Sequence, residues 1–464
     1  MPLSLLAQRS LACALLALSA GCSLAPPYQR PDLALPNAWQ NPTQGASLNA
    51  QWWQSFASPE LNALVEEGLG QSFNLQAAYR RVAQARATAS ASSGSQSPTL
   101  SLSADASRGG LQSGVKAEQS VYAQASYELD FWGKNANTAR AADALTQASQ
   151  FDAETVRISL VASIADNYFQ ILSLQERIRL AQKIADDAQK VLSLVQTQAQ
   201  FGAASDLEIA QQRNALQTFQ AAVPVLRQQQ EQALHSLAIL LGRIPEGFTL
   251  AQAGLDEISN PALSAGLPAS LIQQRPDIQA AEARLRAANF DIGVARAALF
   301  PDLTLTVQSG SKILPQAGLW SAAAALTQPL WNGGALADQV TVSRERAQEL
   351  IASYHQTVLQ GLQDVEDQLS AVTQLDQLVQ IDAAAVQSAE EAARLGQVRF
   401  KLGSVDFLNV LTIERTLYQA EDTQLQVKLQ RLQATVALYR ALGGGFDAAT
   451  TPPTQTTDKK ATQP

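Results

Sequence analysis

The chain repeats itself. Apolar residues recur every seven positions at Ile164, Ile171, Ile178, Ala185 and Leu192. The same run returns at Val365, Val372, Val379, Val386 and Ala393, each 201 residues later. Gly202 matches Gly403, and Leu241-Gly242 matches Leu442-Gly443, at that same offset. Pro98 pairs with Pro301 and Trp132 with Trp331, at offsets of 203 and 199. A long constant offset that drifts by two residues is what duplication with small loop insertions leaves behind. Length alone suggests about three domains for 464 residues. The repeat reads instead as two copies of one unit.

Each copy follows one plan. A helix over about 60–95, and again over 270–298 beginning near Pro268, opens the unit. Two strand-like segments of roughly 10 residues follow, about the length a tilted membrane strand needs. Val121, Ala123, Ala125, Tyr127, Leu129 and Phe131 alternate with Tyr122, Gln124, Ser126, Glu128 and Asp130, giving one apolar and one mostly polar face. Leu100 and Leu102, then Leu303, Leu305 and Val307, alternate likewise. A fourth, Ala-rich segment runs over about 319–331, and Gly109-Gly110 and Gly310 read as the turns between partners.

A very long helix comes next, over about 133–199 and 334–400, each about 100 Å at 1.5 Å per residue. Val358, Leu362, Val365, Leu369 and Val372 step by four and three, the spacing of a coiled-coil seam. Gly202 and Gly403 reverse the chain, and return helices run over about 205–241 and 405–442. Pro224 should kink the first of these or break its hydrogen bonding.

Residues 1–21 carry only Arg9 as a charge, with an apolar run from Leu11 to Leu18, the layout of a signal peptide. Leu18-Ser19-Ala20-Gly21-Cys22 resembles a bacterial lipobox, so Cys22 is the expected site of palmitate or a similar acyl group. Cys13 lies inside the leader, which leaves Cys22 without a disulfide partner in the mature chain. A formal net charge of -8 argues against nucleic-acid binding. His235 and His355 have no second ligand at useful spacing, so neither a metal site nor a cofactor is expected. No apolar run is long enough for a spanning helix. Strands can cross lipid only as a closed barrel, and four cannot close one. If these strands span, three copies supply twelve, and Phe131, Trp132 and Trp331 at the strand–helix junctions suit the membrane interface. The same aromatics would also suit the core of a soluble sheet.

Several segments then point to one family. Leu267-Pro268, Arg275-Pro276-Asp277-Ile278, Ala281-Glu282, Ala287-Ala288-Asn289, Ile292-Gly293, Ala295-Arg296-Ala297-Ala298 and Phe300-Pro301 look like one extended signature. Gln328-Pro329-Leu330-Trp331-Asn332-Gly333-Gly334, Leu438-Tyr439-Arg440-Ala441-Leu442-Gly443-Gly444-Gly445, and Trp52-Trp53 with Phe56, Pro59 and Leu61 extend it. Together they resemble the TolC-like outer-membrane efflux family, lipoprotein branch, across essentially the whole mature chain.

The resemblance implies an α+β membrane protein: a homotrimeric 12-stranded outer-membrane β-barrel continuous with a long periplasmic α-helical barrel of coiled-coil hairpins. The implied organisation is a signal over 1–21, an anchor and collar segment over 22–59, a first repeat over 60–242, a collar-forming linker over 243–269, a second repeat over 270–445 and a tail over 446–464. It implies a passive exit channel of a tripartite efflux pump for drugs or other toxic small molecules. A periplasmic adaptor and a proton-driven inner-membrane transporter would be its partners. The alternatives are a duct for type I polypeptide secretion or a non-conducting structural lipoprotein, and no catalytic constellation suggests an enzyme.

The family narrows its periplasmic end just after the hairpin turns. Positions matching Asn409 and Thr412 are often acidic there, and neither is acidic here. Glu208 matches a family Asp, and Asp206 and Asp406 lie nearby, so these five are the constriction candidates. Ser205-Asp206-Leu207-Glu208 is equally a helix capping box. Gly202 and Gly403 mark the turns where the family meets its adaptor, and both also suit plain helix ends.

Overall fold

The computed structural model describes residues 23–42, 45–46, 48–111, 114–250, 254–314, 317–402 and 404–446. The expected leader, Cys22 and Gly403 lie outside them. Two compact units divide the chain, and each is taken by itself.

The first unit draws on residues up to Leu33, Ala78–Ala153 and Asp277–Val358. It holds one antiparallel sheet of β1 (Thr99–Leu111), β2 (Gly114–Leu129), β3 (Asp302–Leu314) and β4 (Ala317–Thr327), in that order. One hairpin comes from each repeat, and β2 pairs with β3 to join them. Strands of 13, 16, 13 and 11 residues exceed the expected ten or so. The fourth begins at Ala317 and stops at Thr327, which leaves Leu330 and Trp331 beyond the sheet.

The glycines read as turns do not turn. Gly109 and Gly110 lie within β1, and Gly310 lies within β3 opposite Tyr122. A Cβ on Gly310 would sit 2.2 Å from the Val121 carbonyl oxygen and 2.5 Å from the Tyr122 Cα. Glycine is needed there for close approach of two backbones beside the register shift at Gln119/Ser120.

The second unit is drawn from Ala34–Ala77, Glu154–Pro276 and the chain beyond Leu359. The first expected helix is two, α1 (Pro59–Gln71) and α2 (Phe73–Gly94), parted at buried Ser72, whose ψ of 121° leaves the helical region. Its counterpart in the second repeat is also divided. A 3-10 turn at Pro268–Ser270 and a short helical turn at Leu271–Gln274 precede α5 (Pro276–Ala297), which from Asp277 onward belongs to the first unit. Arg275 is extended because the Pro276 ring excludes the α conformation from the residue before it.

The long helices are α3 (Lys134–Gln200) and α6 (Ala335–Lys401), each 67 residues, and both contribute to both units. Their return partners are α4 (Asp206–Leu240) and α7 (Phe407–Ala441), 35 residues each. Pro224 sits inside α4 without ending it, its ring on the exposed side.

Packing follows the heptads. Ile164, Ile171, Ile178, Ala185 and Leu192 are all buried, as are Val365, Val372, Val386 and Ala393. In the second unit, Trp52 stacks on Tyr439 at 4.8 Å, and Phe56 meets Phe169 at 5.0 Å. Buried Tyr168 pairs with Ser58 (3.1 Å) and donates to Glu60 (3.2 Å). In the first unit, small residues let helices approach closely: Ala141 and Ala144 of α3 pack with Ala287 of α5.

Candidate functional site: a two-faced sheet and the helical turns

The strand register settles which side chains share a face, because directly opposed residues in an antiparallel pair point the same way. Leu100, Ala125, Val307 and Ala322 form one row across all four strands. Tyr127, Leu305 and Ala324 form another, and Leu129, Leu303 and Leu326 a third. On this apolar face Leu100 is 79% exposed and Trp320 83%. So large a bare apolar surface requires an apolar partner or an apolar solvent.

The opposite face is mostly polar. Ser101, Gln124, Gln308 and Ser321 form one of its rows, followed on one side by Ser126 with Thr306 and then Glu128 with Thr304, and on the other by Ser103, Tyr122, Gly310 and Leu319. Gln308 Nε2 donates to Gln124 Oε1 at 2.7 Å, and Ser321 Oγ to Gln308 Oε1 at 3.5 Å. Lys134 pairs with Glu128 at 3.0 Å where the sheet hands over to α3. The outer edges of β1 and β4 have no strand beside them among the described residues.

The three junction aromatics occupy different settings. Phe131 lies half-buried in the turn after β2. Trp132 is half-buried, stacked on Phe300 at 4.6 Å, with its indole N–H donated to the Pro301 carbonyl at 2.9 Å. Trp331 is 90% exposed.

The first helical turn, in the second unit, is closed by backbone geometry. Gly202 adopts φ +75° just past the end of α3, a conformation costly for any other residue except Asn or Asp. Its N–H reaches the Ala199 carbonyl and the Ala203 N–H reaches that of Gln198, the paired bonds of a Schellman stop. In the second turn the Ser404 N–H reaches the Arg399 carbonyl in the same way.

The acidic candidates sit at the following helix starts. Ser205 Oγ accepts the Glu208 N–H, and the Glu208 carboxylate accepts the Ser205 N–H at 2.6 Å, a complete capping box. Asp206 is exposed in the first turn of α4. Asp406 caps α7 by accepting the Asn409 N–H at 2.9 Å. Asn409 and Thr412 are exposed, and the Thr412 hydroxyl bonds back to the Leu408 carbonyl. Local helix chemistry thus accounts for Glu208 and Asp406 while leaving Asp206, Asn409 and Thr412 turned to solvent.

Behind these turns the two hairpins meet. Ala185, Ala188, Leu192 and Val195 of α3, with Ala215, Leu216 and Phe219 of α4, share one cluster with Leu411 of α7. Phe219 meets Tyr418 edge-on at 5.8 Å. Arg177 of α3 grips Asp422 of α7 with two bonds of 2.6 and 3.2 Å. Burial pushes the Glu414 carboxyl up from its ordinary value, with the Gln397 side chain opposing. The deeper Asp166 carboxyl is pushed up to about 6, also by burial, with Arg440 partly opposing.

Sequence reasoning did not find the Gln124–Gln308 pair or the Arg177–Asp422 grip. The glutamines were visible as alternating polar residues, but only the register brings them opposite one another. Nothing in the spacing of Arg177 and Asp422, 245 residues apart, marks them as partners. His235 is exposed on α4, and His355 lies beside Tyr354.

A two-faced antiparallel sheet with one β-hairpin from each repeat, in a chain whose repeats each also carry a long Ala-rich helical hairpin, defines a class, the outer-membrane channels with a helical extension. The family model for outer membrane efflux proteins matches residues 64–243 and 267–444, one block per repeat, and the chain belongs to that family. It is 37% identical to the pyoverdine export outer membrane protein OpmQ of Pseudomonas putida over 437 residues, covering 90% of this chain and 93% of that one. It is 29% identical to the cation efflux system protein CusC of Escherichia coli, covering 94% and 98%. The open state of the Neisseria gonorrhoeae MtrE outer membrane channel superposes with a TM-score of 0.84 at 30% identity, covering 91% and 98%. The protein is an outer-membrane exit channel for efflux, and its family is not a family of enzymes.

Proposed function

We propose that three copies join β1 of one to β4 of the next, closing a ring of twelve strands with the apolar rows toward lipid and the Gln124–Gln308 face toward a wet lumen. The observation that carries this is the bare apolar face of a sheet with two unpaired edges. In lipid an open edge leaves backbone groups unsatisfied at several kcal/mol each, so closure is the physical requirement. In this reading the channel is the passive exit of a tripartite pump. An adaptor grips the turns at Gly202 and Gly403, and an inner-membrane transporter supplies the energy.

Three-fold repetition of Asp206, Glu208 and Asp406 places negative rings at the periplasmic end, with Asn409 and Thr412 as uncharged neighbours. Acylated Cys22 anchors the chain. The next residue, Ser23, donates its hydroxyl to Asn137 at the start of α3, just past the sheet, at 3.0 Å. Small molecules are the cargo, with selection made by the inner-membrane partner. The relatives named for pyoverdine export and for cation efflux fit one duct serving different cargoes.

The test is dye accumulation in a bacterial strain lacking its own exit channel but carrying a cognate adaptor and transporter. Expression of this chain should lower intracellular dye, and the purified protein should have the mass of a trimer. Undiminished dye with a correctly assembled trimer would favour a structural spacer.

A further inference from the structure

Glu282, Asn289 and Arg296 of α5 are spaced by seven, so they fall nearly on one line along the helix. They are polar residues in an Ala-rich helix, and each is turned onto the same segment, Ser23–Arg30, which bends at Ala25. Arg296 Nη1 donates to the Leu24 carbonyl at 3.2 Å, and Asn289 Nδ2 to the Pro26 carbonyl at 2.7 Å. Glu282 accepts the Tyr28 hydroxyl at 3.4 Å and pairs with the Arg30 guanidinium at 2.8 Å.

The segment runs antiparallel to the helix, meeting Arg296, Asn289 and Glu282 in turn. Pro26 and Pro27 favour the extended form and bring no N–H that needs a partner. Between the polar contacts lies Gly293, where a Cβ would stand 2.9 Å from the Ala25 Cα and 2.6 Å from the Asn137 amide nitrogen. At the far end Ser23 Oγ donates to Oδ1 of Asn137, a fully buried residue of α3.

We infer that this face of α5 is a binding groove for the chain's own segment 23–30, a proline-containing peptide held as a brace across α3 and α5. The groove holds Ser23 beside the start of α3, and its contacts involve no acyl group. Anchoring and bracing are separate functions of adjacent residues.

The experiment uses the full chain with Cys22→Ser, Ser23→Cys and Asn137→Cys, mildly oxidised, with the 23–137 disulfide followed by mass spectrometry. The bond should form rapidly in this non-acylated protein. Adding Asn289→Ala with Arg296→Ala should slow it at least tenfold while helix content by circular dichroism is retained. Asn289→Asp, of equal size but unable to donate to the Pro26 carbonyl, should act in the same direction should the double variant lose its fold. Equal rates with and without the α5 substitutions, or no disulfide in the parent, would overturn the inference.

Discussion

Single residues carry identifiable costs, and Asp166 is the clearest. It follows Ile164 and precedes Ile171 on α3, both fully buried, and burial raises its carboxyl to about 6. A folded-state value above the unfolded one favours the protonated form. Its contribution to stability is therefore greatest below about pH 4 and is lost as pH rises through 6. Asp166→Asn should raise the unfolding free energy at pH 7.5, by at most about 3 kcal/mol for a shift from the ordinary value to about 6, and flatten the change between pH 4 and 6. Melts at four pH values would check this, and an unchanged slope would count against the assignment. Glu208 poses a different question, because its cap and its proposed place in the pore use the same carboxylate. Glu208→Gln keeps an acceptor for the Ser205 N–H and removes the charge. Reduced cation preference in bilayers at unchanged stability would assign the pore role, whereas unchanged selectivity would leave only the cap.

At the scale of elements, the legible parts were those governed by local periodicity. The heptads at Ile164–Leu192 and Val365–Ala393 placed both long helices within one residue of their observed bounds. Alternation in β2 and β3 placed the apolar rows correctly. Gly310 was misread because a glycine inside a strand pattern signals either a turn or a close backbone approach, and only the partner strand decides between them. Pro224 removes one backbone hydrogen bond, as expected of a residue without an N–H, yet the 35-residue helix continues through it. The same strand geometry gives a prediction. Gly310→Ala places a methyl against the Val121 carbonyl at the one pairing that joins the two repeats, at a cost of about 1–3 kcal/mol. The yield of membrane-inserted protein should fall while helix content by circular dichroism holds. Normal insertion would mean that β2 and β3 pair less tightly than described.

For the whole molecule, duplication explains why one chain supplies two β-hairpins to a single sheet and also carries two helical hairpins. What the sequence left unread at this scale was long-range pairing: the β2–β3 register, the Arg177–Asp422 grip and the clasp on segment 23–30. Each joins residues well over a hundred positions apart, where no local pattern links the partners. The proposed channel conducts, with its conductance held low at the helical turns. Single-channel recording of the purified full-length protein in a planar bilayer tests it, with wild type compared against Glu208→Gly with Asp406→Gly, which loosens both helix starts. Small, flickering wild-type currents that grow in the variant are the predicted result. Absence of current from both proteins, with trimeric insertion verified, would contradict the account.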